Sequence, residues 1–126
     1  MSERTMVYEA VGGSATFERL VKGLYSEVAN DPVLRPLYPA DLTSSQRYLT
    51  LFLVQYFSGP GTYSEERGHP RLRMRHMHLR IGSTERDAWL AHMSAALDTL
   101  DLPEAAREEF RRYFDDAATF LMNHAA

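Results

Sequence analysis

The sequence predicts an all-α protein. Four long segments carry apolar residues at intervals of three and four, the spacing of one helix face. Short stretches that contain glycine, proline or asparagine separate these segments. No segment alternates apolar and polar residues as a half-buried strand does. We therefore expect four substantial helices and one or two short ones, in a single domain over residues 1–126.

The first long helix is expected to follow Gly12, with Ser14 as its N-cap. Its apolar stripe consists of Phe17, Leu20, Val21, Leu24, Tyr25 and Val28. The residue before Pro32 avoids helical backbone, which ends the helix, and a short helical turn is expected around 32–37. A capping-box spacing at 43–46 opens the second long helix, whose inward face is Leu49, Phe52, Leu53 and Tyr56.

The second half of the chain has a polar, unperiodic stretch at 62–68, which predicts a loop. Pro70 suits the first turn of a short helix that ends near His76. Ser83 or Thr84 opens the third long helix, and Pro103 starts the fourth. Their inward faces are expected to be Trp89, Met93, Ala96, Leu97 and Leu100, and then Ala106, Phe110, Tyr113, Phe114, Ala117 and Leu121.

Composition and charge narrow the function classes. No run approaches the ~18 apolar residues of a membrane span, and residues 1–8 lack the apolar stretch of a signal peptide. Cysteine is absent, which excludes disulfides and thiolate metal ligands and fits a reducing cytoplasm. The net charge of −3 argues against general nucleic-acid binding.

His76 is the strongest candidate for chemistry among the five histidines. A histidine taken alone is more often exposed or structural than a metal ligand. His76 differs because it closes a short helix bracketed by Pro70 and Gly82, with the soft side chains of Met74 and Met77 beside it. A neutral imidazole on a short helix is what binding a haem iron from one side requires.

Three aromatic residues with polar tips form a second candidate group. Tyr25 and Trp89 lie on the inward faces of their helices, and Tyr38 precedes a proline. The simpler interpretation is a set of core residues whose polar atoms bond to the backbone. The alternative is that these donors converge on one cavity and hold a bound diatomic molecule or an oxyanion.

A cluster of basic residues needs its own explanation. The cluster consists of Arg67, Arg71, Arg73, Arg75 and Arg80. These side chains could pair with carboxylates of a ligand, bind phosphates of a nucleic acid, or form a solvated helix face. Aromatic residues do not interleave with them, so nucleic acid is the weakest of the three.

Together these motifs resemble the group II truncated haemoglobins, the bacterial 2-on-2 globins. The resemblance covers almost the whole chain, from Tyr8 to the last helix. Its densest parts are Phe52-Leu53-x-Gln55-Tyr56-Phe57-x-Gly59-Pro60, Tyr63-Ser64-Glu65, Gly68-His69-Pro70, Arg73-Met74-Arg75-His76 and Asp87-Ala88-Trp89-Leu90.

The resemblance implies a 2-over-2 helical sandwich around one haem b, with His76 as the proximal iron ligand. It implies a distal pocket in which Trp89 donates its indole N–H toward the ligand and a small residue, Ser45, leaves the entrance open. The distal residues are Tyr25, Tyr38, Ser45, Leu49 and Trp89. Further expected haem contacts are Phe52, Leu53, Tyr63, Arg73, Arg75, Met77, Ile81 and Met93.

Three places depart from the family pattern: Tyr48, the pair His78-Leu79, which replaces the usual proline and aromatic residue, and Phe57, which stands where tryptophan is common. Tyr48 stands where the family commonly has an arginine that reaches a haem propionate, which leaves Arg47, Arg73, Arg75 and Tyr63 as alternatives. His78 lies close to His76 and is an alternative iron ligand.

The expected function is reversible binding of O2, with CO and NO as further haem ligands. The main alternative is a redox enzyme, a nitric oxide dioxygenase or a peroxidase-like protein. A haem-based sensor and a helical scaffold without haem are weaker alternatives. The sequence predicts a cytoplasmic protein with no membrane or nucleic-acid partner, and it leaves a reductase partner and homo-oligomeric assembly open.

Overall fold

Helices make up all the regular structure in the part of the chain that the computed structural model describes, residues 3–124, with side chains from Val7 onward. A 3₁₀ helix, Arg35–Leu37, lies between the second and third α-helices. The α-helices are α1 (Glu3–Ala10), α2 (Ser14–Val28), α3 (Thr43–Tyr56), α4 (Thr62–Arg67), α5 (Leu72–His76), α6 (Ser83–Asp98) and α7 (Glu104–Phe120).

The four long helices form two packed pairs, as the family resemblance implies. α2 packs against α3 and also against α6, and α6 packs against α7. The helix α2 approaches α6 closely at Gly23, where an added Cβ would lie 3.2 Å from the Cβ of Ala96. The pair α2–α3 therefore lies over the pair α6–α7, which is a two-over-two helical sandwich.

An aromatic cluster fills the centre of this sandwich. Phe17 of α2 is fully buried, and its ring centroid lies 5.9 Å from those of Tyr8 and Phe57 and 5.5 Å from that of Phe110. These four rings join α1, α2, α7 and the end of α3. Tilted and edge-on ring pairs of this kind add to the stabilisation from buried apolar area.

The end of α3 packs tightly against α1 through Gly59. A Cβ at this position would collide with the Tyr8 ring and would lie 2.7 Å from Val54. Only glycine fits there without moving its neighbours. Gly59 therefore follows the end of α3 and also allows the chain to pack closely against Tyr8 of α1.

The predicted loop at 62–68 is wrong, because residues Thr62–Arg67 form helix α4. One buried side chain, Tyr63, holds this helix to the core. Gln55 holds its start, accepting a bond from the Ser64 N–H at 2.9 Å and donating to the Ser64 hydroxyl at 2.8 Å. A single apolar anchor gives no periodicity, which is why the sequence pattern missed the helix.

Two predicted caps are also wrong, although their helices begin where expected. Gly13 is the N-cap of α2 at φ +79°, and Ser14 instead bonds the Tyr8 hydroxyl at 3.1 Å. Leu42 is the N-cap of α3, and the Asp41 carboxylate accepts the N–H of Thr43 at 2.9 Å.

The described residues form more short helices than the one or two that the sequence predicts. Helix α1 was not predicted at all.

No helix in residues 3–124 combines the length and the apolar composition that a membrane span requires.

Candidate functional site

His76 lies at the end of α5 and is half-buried. Its Nδ1 lies 2.6 Å from the carbonyl oxygen of Leu72, one helical turn earlier. A carbonyl oxygen only accepts hydrogen bonds, so Nδ1 carries a proton, and Nε2 is the nitrogen that holds the lone pair in the neutral imidazole. The ring of His76 is therefore oriented, with Nε2 as its metal-binding nitrogen.

The short helix α5 is tied to the chain before it. Arg75 donates from Nε to the carbonyl of Pro70 at 2.9 Å and from Nη2 to that of Arg67 at 3.4 Å. Gly68 turns the chain between α4 and α5 at φ +74°, a conformation that favours glycine. These bonds fix the start of a five-residue helix that is too short to be stable alone.

The three polar-tipped aromatic side chains lie against one another. The ring centroids of Tyr25 and Tyr38 lie 5.5 Å apart, at an interplanar angle of 77°. The hydroxyls of Tyr25 and Tyr38 share a hydrogen bond in which either can donate, and the indole N–H of Trp89 donates to the Tyr38 hydroxyl oxygen.

Burial is the main cause of the pKa shifts of Tyr25 and Tyr38. Desolvation raises the pKa of Tyr25 far above its usual value, and the neighbouring Tyr38 raises it further. Desolvation also raises the pKa of Tyr38, while the hydrogen bonds with Trp89 and Tyr25 act in the opposite direction. Both hydroxyls therefore stay protonated, and so stay hydrogen-bond donors, across the physiological pH range.

Arg35 fixes the backbone that carries Tyr38. Its guanidinium donates to three successive carbonyls, those of Tyr38 at 3.3 Å, Pro39 at 2.9 Å and Ala40 at 2.7 Å. Sequence reasoning missed this role, because an arginine in a polar loop carries no signal that its donors turn inward.

A second tie holds the same region to α6. The Asp31 carboxylate accepts a bond from His92 Nε2 at 2.6 Å and from the backbone N–H of Val33 at 2.8 Å. The bond from His92 is the main reason that the pKa of Asp31 lies below its usual value. The turn before the 3₁₀ helix is thereby joined to the helix that carries Trp89.

Helix α3 supplies an apolar wall. Leu53 is buried in the core, whereas Leu49 and Phe52 pack against the core but are only half covered. Met93 of α6 is also buried. Two large apolar side chains on the inner face of a helix are thus left partly uncovered by the protein, which suits a flat apolar ligand.

The polar edge of this region contains an ion pair. Arg47 forms a two-pronged ion pair with Glu66, at 2.7 and 2.6 Å, which lowers the pKa of that carboxyl. Tyr48 also donates to Glu66, at 3.4 Å, and Arg67 lies 4.5 Å from the Tyr48 ring centroid. Arg47 is therefore already paired with Glu66, at the surface of the protein.

The remaining candidate residues differ in how far their side chains are exposed to solvent. Tyr63 is buried, with its ring 5.6 Å from Phe52. Arg73 lies 5.4 Å from the ring centroid of Phe120, and Met77 is 68% exposed. Ser45 is half-buried in the first turn of α3.

His78, the alternative ligand, is exposed, and within residues 3–124 it forms no hydrogen bond that would orient it. The structure orients His76 and leaves His78 free to rotate.

A cavity of about 310 Å³ lies between α3, α5 and α7. Leu72, whose carbonyl orients His76, is part of its wall. The other wall residues are Tyr56, Phe57, Tyr113, Ala117 and Phe120, with Glu109, Arg112 and Asp116 at its rim.

The donor set fits haem. One histidine oriented through Nδ1 suits axial ligation by Nε2, partly covered apolar side chains suit a porphyrin face, and buried hydroxyl and indole donors suit a small bound ligand. A two-over-two sandwich with this set of groups defines the class of truncated globins.

Comparison with known proteins agrees. Residues 6–123 match the family described as bacterial-like globin. The chain is 44% identical over 101 residues to the Group 2 truncated hemoglobin YjbI of Bacillus subtilis (strain 168), covering 80% of this chain and 76% of the relative.

Two solved structures show the same fold. A haemoglobin from the thermophilic phototrophic bacterium Chloroflexus aurantiacus is 55% identical with a TM-score of 0.92, covering 94% of this chain and 98% of that one. A truncated oxygen-avid haemoglobin from Bacillus subtilis is 39% identical with a TM-score of 0.88, covering 93% and 98%. The chain therefore belongs to the bacterial-like globin family, and haem is the cofactor that this family implies.

Proposed function

We propose that this protein binds one haem b through Nε2 of His76 and binds O2 reversibly at the iron, with CO and NO as alternative ligands. The observation that carries the proposal is the 2.6 Å contact between His76 Nδ1 and the Leu72 carbonyl. When bound, the haem supplies an iron centre with one coordination position left for a diatomic ligand.

The protein's contribution on the proximal side is orientation. A carbonyl that accepts the Nδ1 proton fixes the tautomer of His76, sets the direction of its ring and raises the basicity of Nε2. Neither His69 nor His78 has such a bond from its ring to a carbonyl in the described residues.

Apolar residues would exclude water from the haem. Leu49, Phe52, Leu53 and Met93 form the wall that we assign to the porphyrin face. We assign Ile81 and Met77 to the edge that follows His76. For the propionates we favour Arg73 and Tyr63 over Arg47 and Arg75, because Arg47 already pairs with Glu66 and Arg75 already bonds the carbonyls of Pro70 and Arg67.

The tyrosine and tryptophan cluster would hold the bound ligand. The Tyr38 hydroxyl keeps its proton, its oxygen accepts the indole N–H of Trp89, and it shares a hydrogen bond with the Tyr25 hydroxyl. In a pocket of low dielectric constant, such a donor stabilises a ligand that carries partial negative charge. Ser45 is small, so we expect ligand entry past the first turn of α3 to be sterically open.

Reversible binding is tested by the rate at which the oxygenated protein releases O2, measured by stopped flow with CO as the trap. A stable oxygenated spectrum and measurable release support the proposal. Oxidation of the iron faster than any release would contradict it.

A redox activity is the second candidate function. The same donors that hold O2 can polarise a bound oxygen species, which suits nitric oxide dioxygenation or peroxide turnover. The described residues offer no free histidine beside the tyrosine cluster as an acid or base, since His92 bonds Asp31. Very slow O2 release combined with rapid consumption of nitric oxide or peroxide would favour the enzyme.

The proposal also covers the cellular compartment of the protein and its need for a reductase. A cysteine-free chain with net charge −3 suits a cytoplasmic haem protein. A redox role would need a reductase to return the iron to its ferrous state.

A further inference from the structure

The segment that follows His76 is held by a residue from the far end of the chain. Asn123 lies just beyond α7, 47 positions after His76. Its side-chain amide donates to the carbonyl of Leu79 at 2.7 Å, with a longer bond to that of His76 at 3.4 Å. Its side-chain oxygen accepts the backbone N–H of Ile81 at 2.9 Å.

The backbone of the same residue completes the contact. The Asn123 N–H donates to the carbonyl of Ile81 at 2.9 Å, and the His124 N–H reaches the same carbonyl at 3.2 Å. The His124 ring also bonds the side-chain oxygen of Asn123, at 2.7 Å. One asparagine thus satisfies donors and acceptors of residues 76–81 that no helix or strand pairs.

This contact matters because α5 has only five residues. Its start is fixed by Arg75, but its end runs into a turn in which Met77 bonds Met74 at 3.3 Å and Leu79 bonds His76 at 3.0 Å. A helix of little more than one turn has few bonds of its own to resist displacement. The position of the His76 ring therefore depends on what holds the chain on both sides of it.

We propose that Asn123 is a positioning residue for His76: by bonding the backbone of residues 76–81, it sets the direction from which Nε2 of His76 meets the haem iron. The inference rests on the proposed function, in which His76 is the iron ligand. It extends the control of this ligand to α7, whose C-terminal end Asn123 follows. No sequence pattern suggested it, because an asparagine after a helix is ordinarily a capping or loop residue.

The test compares Asn123→Ala and Asn123→Asp with the unaltered haem-loaded protein. Asn123→Asp keeps an oxygen that accepts from Ile81 but loses the amide that donates to Leu79. Asn30→Ala is the matched control, because Asn30 is also exposed after a helix and its side chain bonds only the Ser26 carbonyl of its own helix.

Two quantities are measured, the rate of haem transfer to an excess of a haem-free acceptor globin and the frequency of the iron–histidine stretching band of the ferrous protein. We expect Asn123→Ala to raise the transfer rate by about tenfold or more, as outer-shell substitutions at metal sites do, and to shift or broaden the band. Asn123→Asp should change both in the same direction, and Asn30→Ala should change neither.

Faster haem loss with an unchanged band would overturn the inference, since Asn123 would then stabilise the fold without positioning the ring. Unchanged values for both quantities in Asn123→Ala would also overturn it. Should Asn123→Ala fail to fold, Asn123→Asp decides the question by the same criteria. Absence of the band from the unaltered protein would instead refute the proposed ligation by His76, so the two failures are distinguishable.

Discussion

Replacing Trp89 by phenylalanine removes one N–H donor and keeps an aromatic ring on α6. The ring of Trp89 packs edge-on against Phe114, with centroids 5.7 Å apart, and phenylalanine can keep that contact. The lost group is the indole N–H that donates to the Tyr38 hydroxyl. The substitution therefore tests hydrogen bonding in the distal cluster with little change in packing.

The expected magnitude follows from the kind of bond that is lost. A hydrogen bond between two neutral groups contributes about 0.5–1.5 kcal/mol, and 1.4 kcal/mol corresponds to a factor of ten. If the loss weakens the hold of the Tyr38 hydroxyl on O2 by this amount and acts on the off-rate, O2 release should accelerate roughly 2- to 13-fold.

The assay is O2 release by stopped flow for the unaltered protein, Trp89→Phe, Tyr38→Phe and the double variant. Since Trp89 donates to Tyr38, the two effects should not add. Tyr8→Phe is the control, because it removes a hydroxyl that bonds Ser14 in another part of the core. An O2 release rate in Trp89→Phe equal to that of the unaltered protein would refute the reasoning.

Two further predictions concern stability. The hydrogen bond from His92 lowers the pKa of Asp31 below its unfolded value near 4, so this carboxylate stabilises the protein above about pH 4 and the contribution disappears as the pH falls through the lowered value. Asp31→Asn should thus flatten the loss of unfolding free energy below about pH 4 in urea titrations of the haem-free protein, whereas the exposed Asp116→Asn should not; parallel acid curves for Asp31→Asn and the unaltered protein would contradict this. Gly59→Ala should lower the unfolding free energy by about 1–3 kcal/mol through overpacking, while Gly61→Ala, whose added Cβ would have 3.8 Å of clearance, should be nearly neutral in the same chemical denaturation experiment. Equal stability of the two glycine variants would show that the tight packing at the end of α3 is not real.

The long helices could be predicted because their apolar stripes are repeated over several turns. Phe17, Leu24 and Phe110 each recur at helical spacing with other core residues, so their burial follows from the pattern. The short helix α4 could not be predicted in this way, because only Tyr63 of that segment is buried. A helix held by one anchor and by Gln55 looks like a loop in the sequence.

The residues of the candidate site also divide into those that the sequence suggests and those that only the structure shows. The sequence singled out His76, Tyr25 and Trp89 as candidates from residue type, local spacing and family resemblance. It did not single out Asn123 or Arg35, because both act through bonds to backbone carbonyls whose positions depend on the tertiary fold. The direction of the Trp89 indole N–H toward a bound ligand stays a prediction, and in this structure that group bonds Tyr38.

The central claim is that His76 alone of the histidines binds haem iron. It is tested most directly by absorption spectra of the haem-loaded protein in its reduced state, with and without CO or O2, for the unaltered chain, His76→Ala and His78→Ala. We predict an intense Soret band with a five-coordinate ferrous spectrum and a stable oxygenated form in the unaltered protein and in His78→Ala, and no stable haem binding in His76→Ala. A normal spectrum in His76→Ala, or no Soret band in the unaltered protein after addition of haem, would contradict the claim.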